Sequence, residues 1–341
     1  MIYLSTFTAG FEDVVKNVLP SALRGSRVVE VYSGLIVYKY KGDPFDISKI
    51  MFFNNTFHLI RHFSGKKLTF GKMADEICSS RNDYLDRRIM KKRYGTFRVR
   101  FSRENRFAGV GITLASRAER EVVRSVGLKV NRLNPDTEFW YIIRSENTAF
   151  YAQLLFRRNY TEKNLKKGAL RPELVHLMLN WAQLRPGDTV LDPFAGHGSI
   201  PLQVLKHYKF KTLIVNDISE EMAGYLKKLF SGYGKSSGVK IYCSDALHLD
   251  NIADKSVDRI ITDPPWGLYE EIKEAETFYM QMLKSLQRVL KDDGLMLVLT
   301  ARKSELEKAV TPNGLRIIDR IDTLVNGKKA ALYKTVKASC D

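Results

Sequence analysis

The segment TDPPWG places Asp263, two prolines and Trp266 directly after the apolar run VDRII. Proline restricts its own φ and the backbone of the residue before it, so this segment is stiff. It offers two hydrogen-bond acceptors, the Asp263 carboxylate and the Pro264 carbonyl, beside the flat apolar ring of Trp266. Acceptors next to an aromatic wall suit an exocyclic amino group on a planar base.

The lone pair of such an amine is delocalised into the base, which makes the amine a poor nucleophile. Two acceptors that hold its hydrogens can turn the lone pair toward an electrophile. Attack on the methyl group of a sulfonium cofactor then depends more on alignment than on a strong base. Asp263 or solvent would take up the released proton. A structural Asp-Pro-Pro turn with a core tryptophan is the less favoured alternative at this position.

A second candidate site is the glycine-containing segment LDPFAGHGSI. Gly196 and Gly198 allow the backbone to approach a ligand closely, and a helix is expected to begin just after them. A dinucleotide site would have a third glycine at position 201, where this chain has Pro201. The pair of glycines alone is therefore weak support for a nucleotide site.

Three aspartates strengthen this site because each follows a separate apolar run. Asp192 closes the first run, Asp217 closes the second, and Asp245 follows the third. An acid in the position of Asp217 can accept hydrogen bonds from ribose hydroxyls, and Asp245 is placed to reach another part of the same nucleoside. A helix cap or a turn explains any one of them more easily than all three together.

The secondary-structure elements that must position these residues alternate regularly from Thr189 onward. Short apolar runs alternate with helical periods, which predicts a parallel sheet of the α/β class. The motif NGKK near the end predicts a tight turn and an antiparallel hairpin. The carboxyl ends of parallel strands meet at one edge of a sheet, where ligands bind in such folds. The aspartates and the Asp-Pro-Pro-Trp segment should therefore lie together.

The first half of the chain has a different composition. Residues 1–171 contain 32 Lys and Arg against 16 Asp and Glu, whereas residues 172–341 contain 23 against 22. A basic module joined to a nearly neutral one favours a first half that holds a polyanion, and a charge that serves solubility alone is the less favoured alternative. Its short mixed elements predict an α+β module. In TFRVRF, aromatic residues alternate with Arg98 and Arg100, which predicts a strand with one buried face and one arginine face.

Other classes of site find little support. No apolar run approaches the roughly 18 residues of a membrane helix, and the first residues include acids, so we expect a cytoplasmic protein without membrane association. The three cysteines are far apart and form no CxxC pair. His58 and His62 lack further ligands nearby, so no metal site is predicted.

The motifs LDPFAGHG, NDIS, SDA and TDPPWG, in this order, resemble those of class I S-adenosylmethionine-dependent methyltransferases that modify exocyclic amines. The segment KKGALRPELVHLMLNWAQLRPGDTVLDPFAG is similar to the entrance of the catalytic domain in THUMP-containing RNA methyltransferases. The segment from residue 129 to 160 resembles the end of a THUMP domain and its linker. Together these resemblances cover roughly residues 120–336, and the first 50 residues look like the N-terminal ferredoxin-like part of that family.

The resemblance implies a Rossmann-like domain with a seven-stranded, mostly parallel sheet and S-adenosylmethionine as cofactor. Asp192, Gly196 and Gly198 would surround the methionine part of the cofactor, Asp217 its ribose and Asp245 its adenine amino group. The catalytic residues, which would receive a flipped-out base, are Asp263, Pro264 and Trp266. The chain departs from the usual pattern at His197, to which we assign no role, and at Trp266, where tyrosine is common.

The resemblance also predicts domains and an RNA partner. The expected domains are a ferredoxin-like part at 1–50, a THUMP domain at 51–153, a linker at 154–171 and the methyltransferase domain at 172–341. Basic side chains would bind RNA phosphates and position the substrate rather than read its sequence. The predicted contacts are Arg98, Arg100, Arg157, Arg158, Lys163, Lys166, Lys167 and Arg171.

The resulting prediction is a monomeric tRNA guanine-N2 methyltransferase, with a guanine of the acceptor stem slightly preferred. One alternative is a DNA or RNA adenine-N6 methyltransferase, because adenine presents an exocyclic amine to the same motif. Another is an inactive RNA-binding protein that retains the methyltransferase fold, although the intact aspartates and Asp-Pro-Pro-Trp speak against it.

Overall fold

The computed structural model describes residues 1–85, 90, 93–158, 165–166, 168–233, 238–267 and 274–338. The chain divides into two compact units. The first comprises Met1–Phe7 and Val15–Arg158, and the second comprises Thr8–Val14 and Asn159–Asp341. None of the described helices is long and apolar enough to span a membrane.

The first unit is built on a nine-stranded sheet, with the spatial order β2-β3-β1-β4-β9-β8-β5-β6 and with β7 paired to β5. Its strands are β1 (Ile2–Thr6), β2 (Arg27–Tyr32), β3 (Leu35–Lys39), β4 (Asn55–Ser64), β5 (Thr96–Arg103), β6 (Arg106–Phe107), β7 (Lys129–Val130), β8 (Thr137–Ile143) and β9 (Thr148–Arg157). Among the described residues of 1–158, the helices with defined bounds are α1 (Glu12–Ala22), α2 (Pro44–Ser48), α3 (Phe70–Ser79) and α4 (Ile112–Val126).

Strand β4 joins the two parts of this sheet because it pairs with β1 on one side and β9 on the other. The sheet therefore runs without a break across residue 50, where we expected a boundary between two modules. The predicted domain boundaries remain predictions.

The predicted alternation in β5 is confirmed. Phe97 and Phe101 are buried in a core that also includes residues of α3, α4 and β8. Arg98 and Arg100 point away from this core, because successive side chains of a strand lie on opposite faces. The first unit therefore places aromatic side chains inside and guanidinium groups outside on the same strand.

The second unit contains a seven-stranded sheet with the order β12-β11-β10-β13-β14-β16-β15. Its strands are β10 (Thr189–Asp192), β11 (Thr212–Asp217), β12 (Val239–Cys243), β13 (Val257–Thr262), β14 (Leu290–Thr300), β15 (Leu315–Val325) and β16 (Lys328–Lys337). Its helices are α5 (Pro172–Ala182), α6 (Ser199–His207), α7 (Glu220–Phe230), α8 (Ala275–Val289) and α9 (Lys303–Val310). The α/β class predicted from the sequence is confirmed.

Strands β10 to β14 are parallel, and β16 runs antiparallel to β14 and β15. Asn326 and Gly327 connect β15 to β16 with φ values of 50° and 79°. Two positive φ values are what a tight two-residue hairpin requires, and Asn-Gly tolerates them best. The predicted hairpin at NGKK is therefore present.

The core of the second unit lies between the sheet and α8. Ile260 and Val298 are fully buried beside Met282 and Leu286 of α8. Burial of each such side chain stabilises the fold by roughly 1.5–3 kcal/mol. Because Asp192 pairs in register with Val215, and Thr262 with Val298, the carboxyl ends of these strands share one edge. This edge carries the candidate site.

Candidate active site

A cavity of about 580 Å³ lies in the second unit. Its lining comes from the segment before α5, the loops after β10, β11 and β13, and the turn between β15 and β16. Asp192, Gly196, Asp217, Asp263, Pro264 and Trp266 all line it. Of the cofactor-binding and catalytic residues predicted from the sequence, the cavity thus brings six together.

The first wall of the cavity is the glycine loop after β10. The N–H group of Gly196 donates a hydrogen bond of 2.7 Å to Asp217 Oδ2. Asp217 Oδ1 accepts a second hydrogen bond from the N–H of Ser219, at 3.0 Å. Each carboxylate oxygen has a further lone pair, so Asp217 can still accept hydrogen bonds from a ligand hydroxyl. Gly196 has φ +49° and open space where a Cβ would lie.

Gly198 has a structural role in this loop, and its predicted contact with the cofactor remains a prediction. Its φ of +77° forms the left-handed N-cap of α6. A Cβ at this position would lie 3.0 Å from Leu226 Cδ2 and 3.2 Å from Leu229 Cδ2. Gly198 therefore allows α6 and α7 to pack closely, and it is not among the residues that line the cavity.

Asp192 lies almost fully buried at the end of β10. Its Oδ1 accepts hydrogen bonds from Thr262 Oγ1, at 3.0 Å, and from the N–H of Phe194, at 3.3 Å. Burial raises the pKa of Asp192 to about 7, although both hydrogen bonds oppose this rise. Burial therefore favours the protonated, uncharged form of Asp192.

Asp263 follows β13 directly and is the chemically unusual residue of the site. The residue is partly exposed toward the cavity, but its Oδ1 is buried and has no hydrogen-bond partner among the described residues. Burial raises the pKa of Asp263 well above its ordinary value, and the charge of Asp192 raises it further. An unsatisfied buried carboxyl oxygen is costly, so its presence in a cavity indicates a ligand-binding role.

Trp266 forms the aromatic part of the same loop. Its indole Nε1–H donates to the carbonyl of Leu299 at 3.3 Å, which fixes the ring against the end of β14. Pro264 is buried, whereas Pro265 and Trp266 are half-buried. The loop thus presents a carboxyl group and a held aromatic ring to one cavity.

Asp245 lies in the turn after β12. Its Oδ1 accepts a hydrogen bond from the N–H of Leu247 at 2.9 Å, which stabilises this turn. Asp245 is not among the residues that line the cavity, so its contact with adenine remains a prediction.

A residue that sequence reasoning missed is Asn216. It is fully buried, and its side-chain amide donates to the carbonyls of Pro193 and Ser244, at 3.1 and 2.9 Å. These contacts tie together the loops after β10 and β12. The signal in the sequence was a polar residue inside the otherwise apolar strand that precedes Asp217.

His197 also lines the cavity. Its ring lies 5.9 Å from that of Tyr225, and Lys166 Nζ lies 3.7 Å from the centre of the Tyr225 ring. Burial lowers the pKa of His197, and the charge of Lys166 lowers it further. Lys166 was predicted as an RNA contact, and here it lies over an aromatic ring of the second unit.

In the first unit, three predicted RNA contacts surround one buried acid. Arg98 Nε and Arg157 Nη2 donate to Glu138 at 2.7 and 2.6 Å, and Arg100 Nε lies 3.9 Å from its Oε1. Burial opposes ionisation of Glu138, but the hydrogen bonds from Arg157 and Arg98 outweigh it and lower its pKa. Three guanidinium groups against one carboxylate leave an excess of two positive charges.

Two aromatic rings extend this arginine cluster. The Arg100 guanidinium lies 5.0 Å from the centre of the Phe107 ring, and that of Arg157 lies 5.8 Å from the ring of Trp140. Phe107 is 67% exposed. The cluster therefore combines positive charge with accessible aromatic surface.

Arg158 donates hydrogen bonds to backbone carbonyls of the first unit, and its predicted phosphate contact remains a prediction. Its Nη2 donates to the carbonyls of Ser48 and Ile50, at 3.0 and 2.8 Å, and its Nε donates to the carbonyl of Phe53 at 3.0 Å. These hydrogen bonds hold the segment after α2. Arg171 immediately precedes α5 as its N-cap residue. Lys163 and Lys167 lie outside the described residues.

Known proteins resemble this chain in sequence and in fold. Residues 158–328 match the family model UPF0020, described as the RMKL-like methyltransferase domain. A tRNA (guanine(6)-N2)-methyltransferase from Thermus thermophilus is 29% identical over 223 residues, which cover 64% of this chain and 66% of that protein. A tRNA (guanine(10)-N2)-dimethyltransferase from Methanocaldococcus jannaschii is 33% identical over 210 residues, 56% of this chain and 58% of that protein. The matched segments thus span less than two thirds of either relative.

The crystal structure of TrmN from Thermus thermophilus has a similar fold over nearly the whole chain. Its TM-score is 0.79 at 22% identity, covering 99% of this chain and 100% of that chain. The family match spans half of the chain and includes the glycine loop, Asp217 and the Asp263 loop. The chain belongs to the UPF0020 family of RMKL-like methyltransferase domains.

Proposed function

We propose that this protein transfers a methyl group from S-adenosylmethionine to the exocyclic N2 amine of a guanine in tRNA. The observation that carries the proposal is Asp263, whose buried Oδ1 has no hydrogen-bond partner among the described residues and which lines a cavity together with Trp266. The relatives named as tRNA guanine-N2 methyltransferases support this choice of substrate.

The cavity suits a nucleoside cofactor in three respects. Gly196 offers open space next to its backbone, Asp217 has free lone pairs for ribose hydroxyls, and Asp192 lies at the neighbouring strand end. When bound, S-adenosylmethionine would supply a methyl group activated by its sulfonium. We expect Asp217 to hold the ribose, with Asp192 and the Gly196 loop beside the methionine part.

The Asp263 loop would hold the target base. The Asp263 carboxyl group accepts a hydrogen bond from the amine in either protonation state, because a protonated carboxyl keeps its carbonyl oxygen as an acceptor. Trp266 stacks on the base and so restrains the ring plane. After transfer, one amine proton must leave, and either the Asp263 carboxylate, when it is ionised, or solvent would accept it.

The first unit would bind the phosphates of the RNA backbone. Arg98, Arg100 and Arg157 supply the excess positive charge, and Lys166 and Arg171 extend the proposed contacts into the second unit. We leave out Arg158 because its donors hold backbone carbonyls. The predicted THUMP identity of this unit, the cytoplasmic location and the monomeric state remain predictions.

The test is nucleoside mass spectrometry on an unmodified tRNA transcript incubated with the protein and isotopically labelled S-adenosylmethionine. Labelled N2-methylguanosine is expected. Labelled methyladenosine would overturn the target, and an absence of label despite measurable cofactor binding would point to another RNA or to an inactive binder. Competition with duplex DNA separates the tRNA substrate from the DNA adenine alternative.

The position of the target follows from a second experiment. A relative that matches 64% of this chain carries the name guanine(6), so we propose guanine 6 of the acceptor stem as the target. Transcripts in which the guanine at position 6 or at position 10 is replaced, with pairing preserved, should lose the label only for position 6. Loss at position 10 alone would contradict this choice.

A further inference from the structure

The Asp263 loop, residues 263–267, forms hydrogen bonds with residues at the end of β14 and at the start of α9. Arg302 Nε donates a hydrogen bond of 2.9 Å to the carbonyl of Trp266. The indole of the same tryptophan donates to the carbonyl of Leu299 at 3.3 Å. Trp266 is therefore anchored through both its backbone and its side chain.

A second chain of hydrogen bonds reaches the neighbouring carbonyl. The Tyr279 hydroxyl donates to the carbonyl of Pro265 at 3.4 Å and lies 2.6 Å from Thr300 Oγ1. Thr300 Oγ1 accepts a hydrogen bond of 2.9 Å from the N–H of Arg302. Tyr279 is fully buried in α8, so the support comes from the core of the second unit.

The Arg302 guanidinium is itself held in place. Its NH1 donates to Glu305 Oε1 at 3.2 Å, and Glu305 lies one turn later on α9. A Cβ at Gly267, whose φ is +76°, would lie 2.7 Å from Arg302 NH2. The guanidinium thus packs directly on the backbone that ends the loop, where only glycine fits without displacement.

This arrangement divides the acceptors of the loop into two groups. The carbonyls of Pro265 and Trp266 are occupied by Tyr279 and Arg302. Asp263 Oδ1 has no partner among the described residues, and these residues provide no hydrogen bond to the Pro264 carbonyl either. The occupied acceptors fix the loop, and the unoccupied ones remain for a ligand.

We propose that Arg302 is a positioning residue for the methylation reaction: it holds the Trp266 carbonyl so that Asp263, Pro264 and Trp266 keep one geometry toward the amine. This role rests on the proposed function of the loop. Arg302 acts through Trp266 and does not touch the reacting atoms. Small displacements of aligned groups lower rates strongly, on the order of 100-fold for about 1 Å.

The test compares Arg302→Met, Arg302→Lys and a matched control, Arg320→Met. Arg320 also forms ion pairs with acidic side chains in the second unit, with Glu307 and Asp322. We expect Arg302→Met to lower kcat by roughly 100-fold while the KM for tRNA and the affinity for S-adenosylmethionine change less than about 3-fold. Arg302→Lys should recover part of kcat, because an ammonium group can still donate to the Trp266 carbonyl. Arg320→Met should retain wild-type kcat.

A readout that does not depend on activity follows the loop directly. In protein labelled with 5-fluorotryptophan, the fluorine resonance of position 266 is assigned by its loss in Trp266→Phe. Arg302→Met should shift or broaden this resonance and leave those of Trp140 and Trp181 unchanged. Arg320→Met should alter none of the three.

Three results would overturn the proposal. The first is a kcat of Arg302→Met within about 3-fold of the wild-type value. The second is a loss of kcat accompanied by a similar fold-loss of cofactor affinity and by a lower unfolding temperature, which would indicate general damage to the fold. The third is an unchanged fluorine resonance of Trp266 in Arg302→Met. If wild-type protein methylates no tRNA, the proposed function fails. The fluorine spectra then still decide whether Arg302 holds the loop.

Discussion

The backbone N–H of Gly196 donates a hydrogen bond of 2.7 Å to Asp217 Oδ2 and thereby joins the loop after β10 to the end of β11. The two residues are therefore one structural unit rather than two independent ligand contacts. Asp217 shapes the loop while its remaining lone pairs stay available to a ribose. Substitutions of the glycines in this loop should therefore distinguish a loss of cofactor affinity from a loss of folding stability.

The two glycines of the loop should respond differently to alanine. In Gly196→Ala the added methyl group meets no atom of the described residues within 4 Å but lies in the cavity, so we expect at least about a 10-fold loss of cofactor affinity at a stability cost of about 1 kcal/mol. In Gly198→Ala the added methyl group crowds two leucine side chains, and the residue also keeps a strained positive φ. We therefore expect about 2–3 kcal/mol of destabilisation. Calorimetric titration and thermal unfolding measure both. Equal stability losses in the two variants would contradict the distinction.

Asp263 should be required for transfer and dispensable for cofactor binding. We expect Asp263→Ala to lower kcat by at least about 1,000-fold, because the amine loses both an acceptor and the site that takes up its proton. Asp263→Asn keeps one acceptor and should retain more activity than the alanine variant. Cofactor affinity should stay within a few-fold in both. Substantial methylation by Asp263→Ala would refute the role assigned to this carboxyl group.

Asp192 should make the protein less stable as the pH rises. Its folded pKa is about 7, whereas an unfolded aspartate titrates near 4, so between these values the folded chain holds a proton that the unfolded chain has released. The free energy of unfolding contributed by this group therefore falls as the pH increases through that window. Asp192→Asn keeps the acceptor oxygen for Thr262 and Phe194 but carries no charge. Its stability relative to wild type should rise between pH 4 and pH 8.

Asp258 provides a control of opposite sign. Burial alone would raise the pKa of Asp258, but the hydrogen bond from Lys291 outweighs burial and lowers this pKa. The stability that this group contributes is present above the unfolded pKa and is lost as the pH falls through the folded pKa. Asp258→Asn should therefore be less stable than wild type at neutral pH and approach it in acid. Thermal unfolding across the pH range tests both variants, and parallel pH profiles would contradict the assignment.

The arginine cluster of the first unit should bind phosphate. Arg100→Gln removes one positive charge while leaving the hydrogen bonds of Arg98 and Arg157 to Glu138 in place. We expect weaker tRNA binding. We also expect the slope of log K against the logarithm of the salt concentration to become shallower by about 1, because one phosphate contact is lost. Arg124→Gln is the matched control, because Arg124 pairs with Glu121 elsewhere on the same unit. Equal effects of the two substitutions on the salt slope would argue against a specific phosphate contact.

The local chemistry of this protein could be predicted from its sequence. The Asp-Pro-Pro-Trp segment, the glycine loop and the terminal hairpin depend on backbone preferences and spacing that act over a few residues. The alternation of apolar runs and helical periods predicted a sheet edge that collects Asp192, Asp217 and Asp263, because parallel strands end at the same side. These inferences needed no knowledge of distant contacts.

Only the tertiary structure decided which partner each charged or small residue meets. Arg157 and Arg158 are neighbours in sequence, yet one binds Glu138 and the other binds carbonyls of residues 48–53. Arg302 reaches Trp266 across 36 positions, and Gly198 packs on Leu226 of the next helix. Such partners depend on how strands and helices pack over long sequence separations, and local patterns do not encode that information.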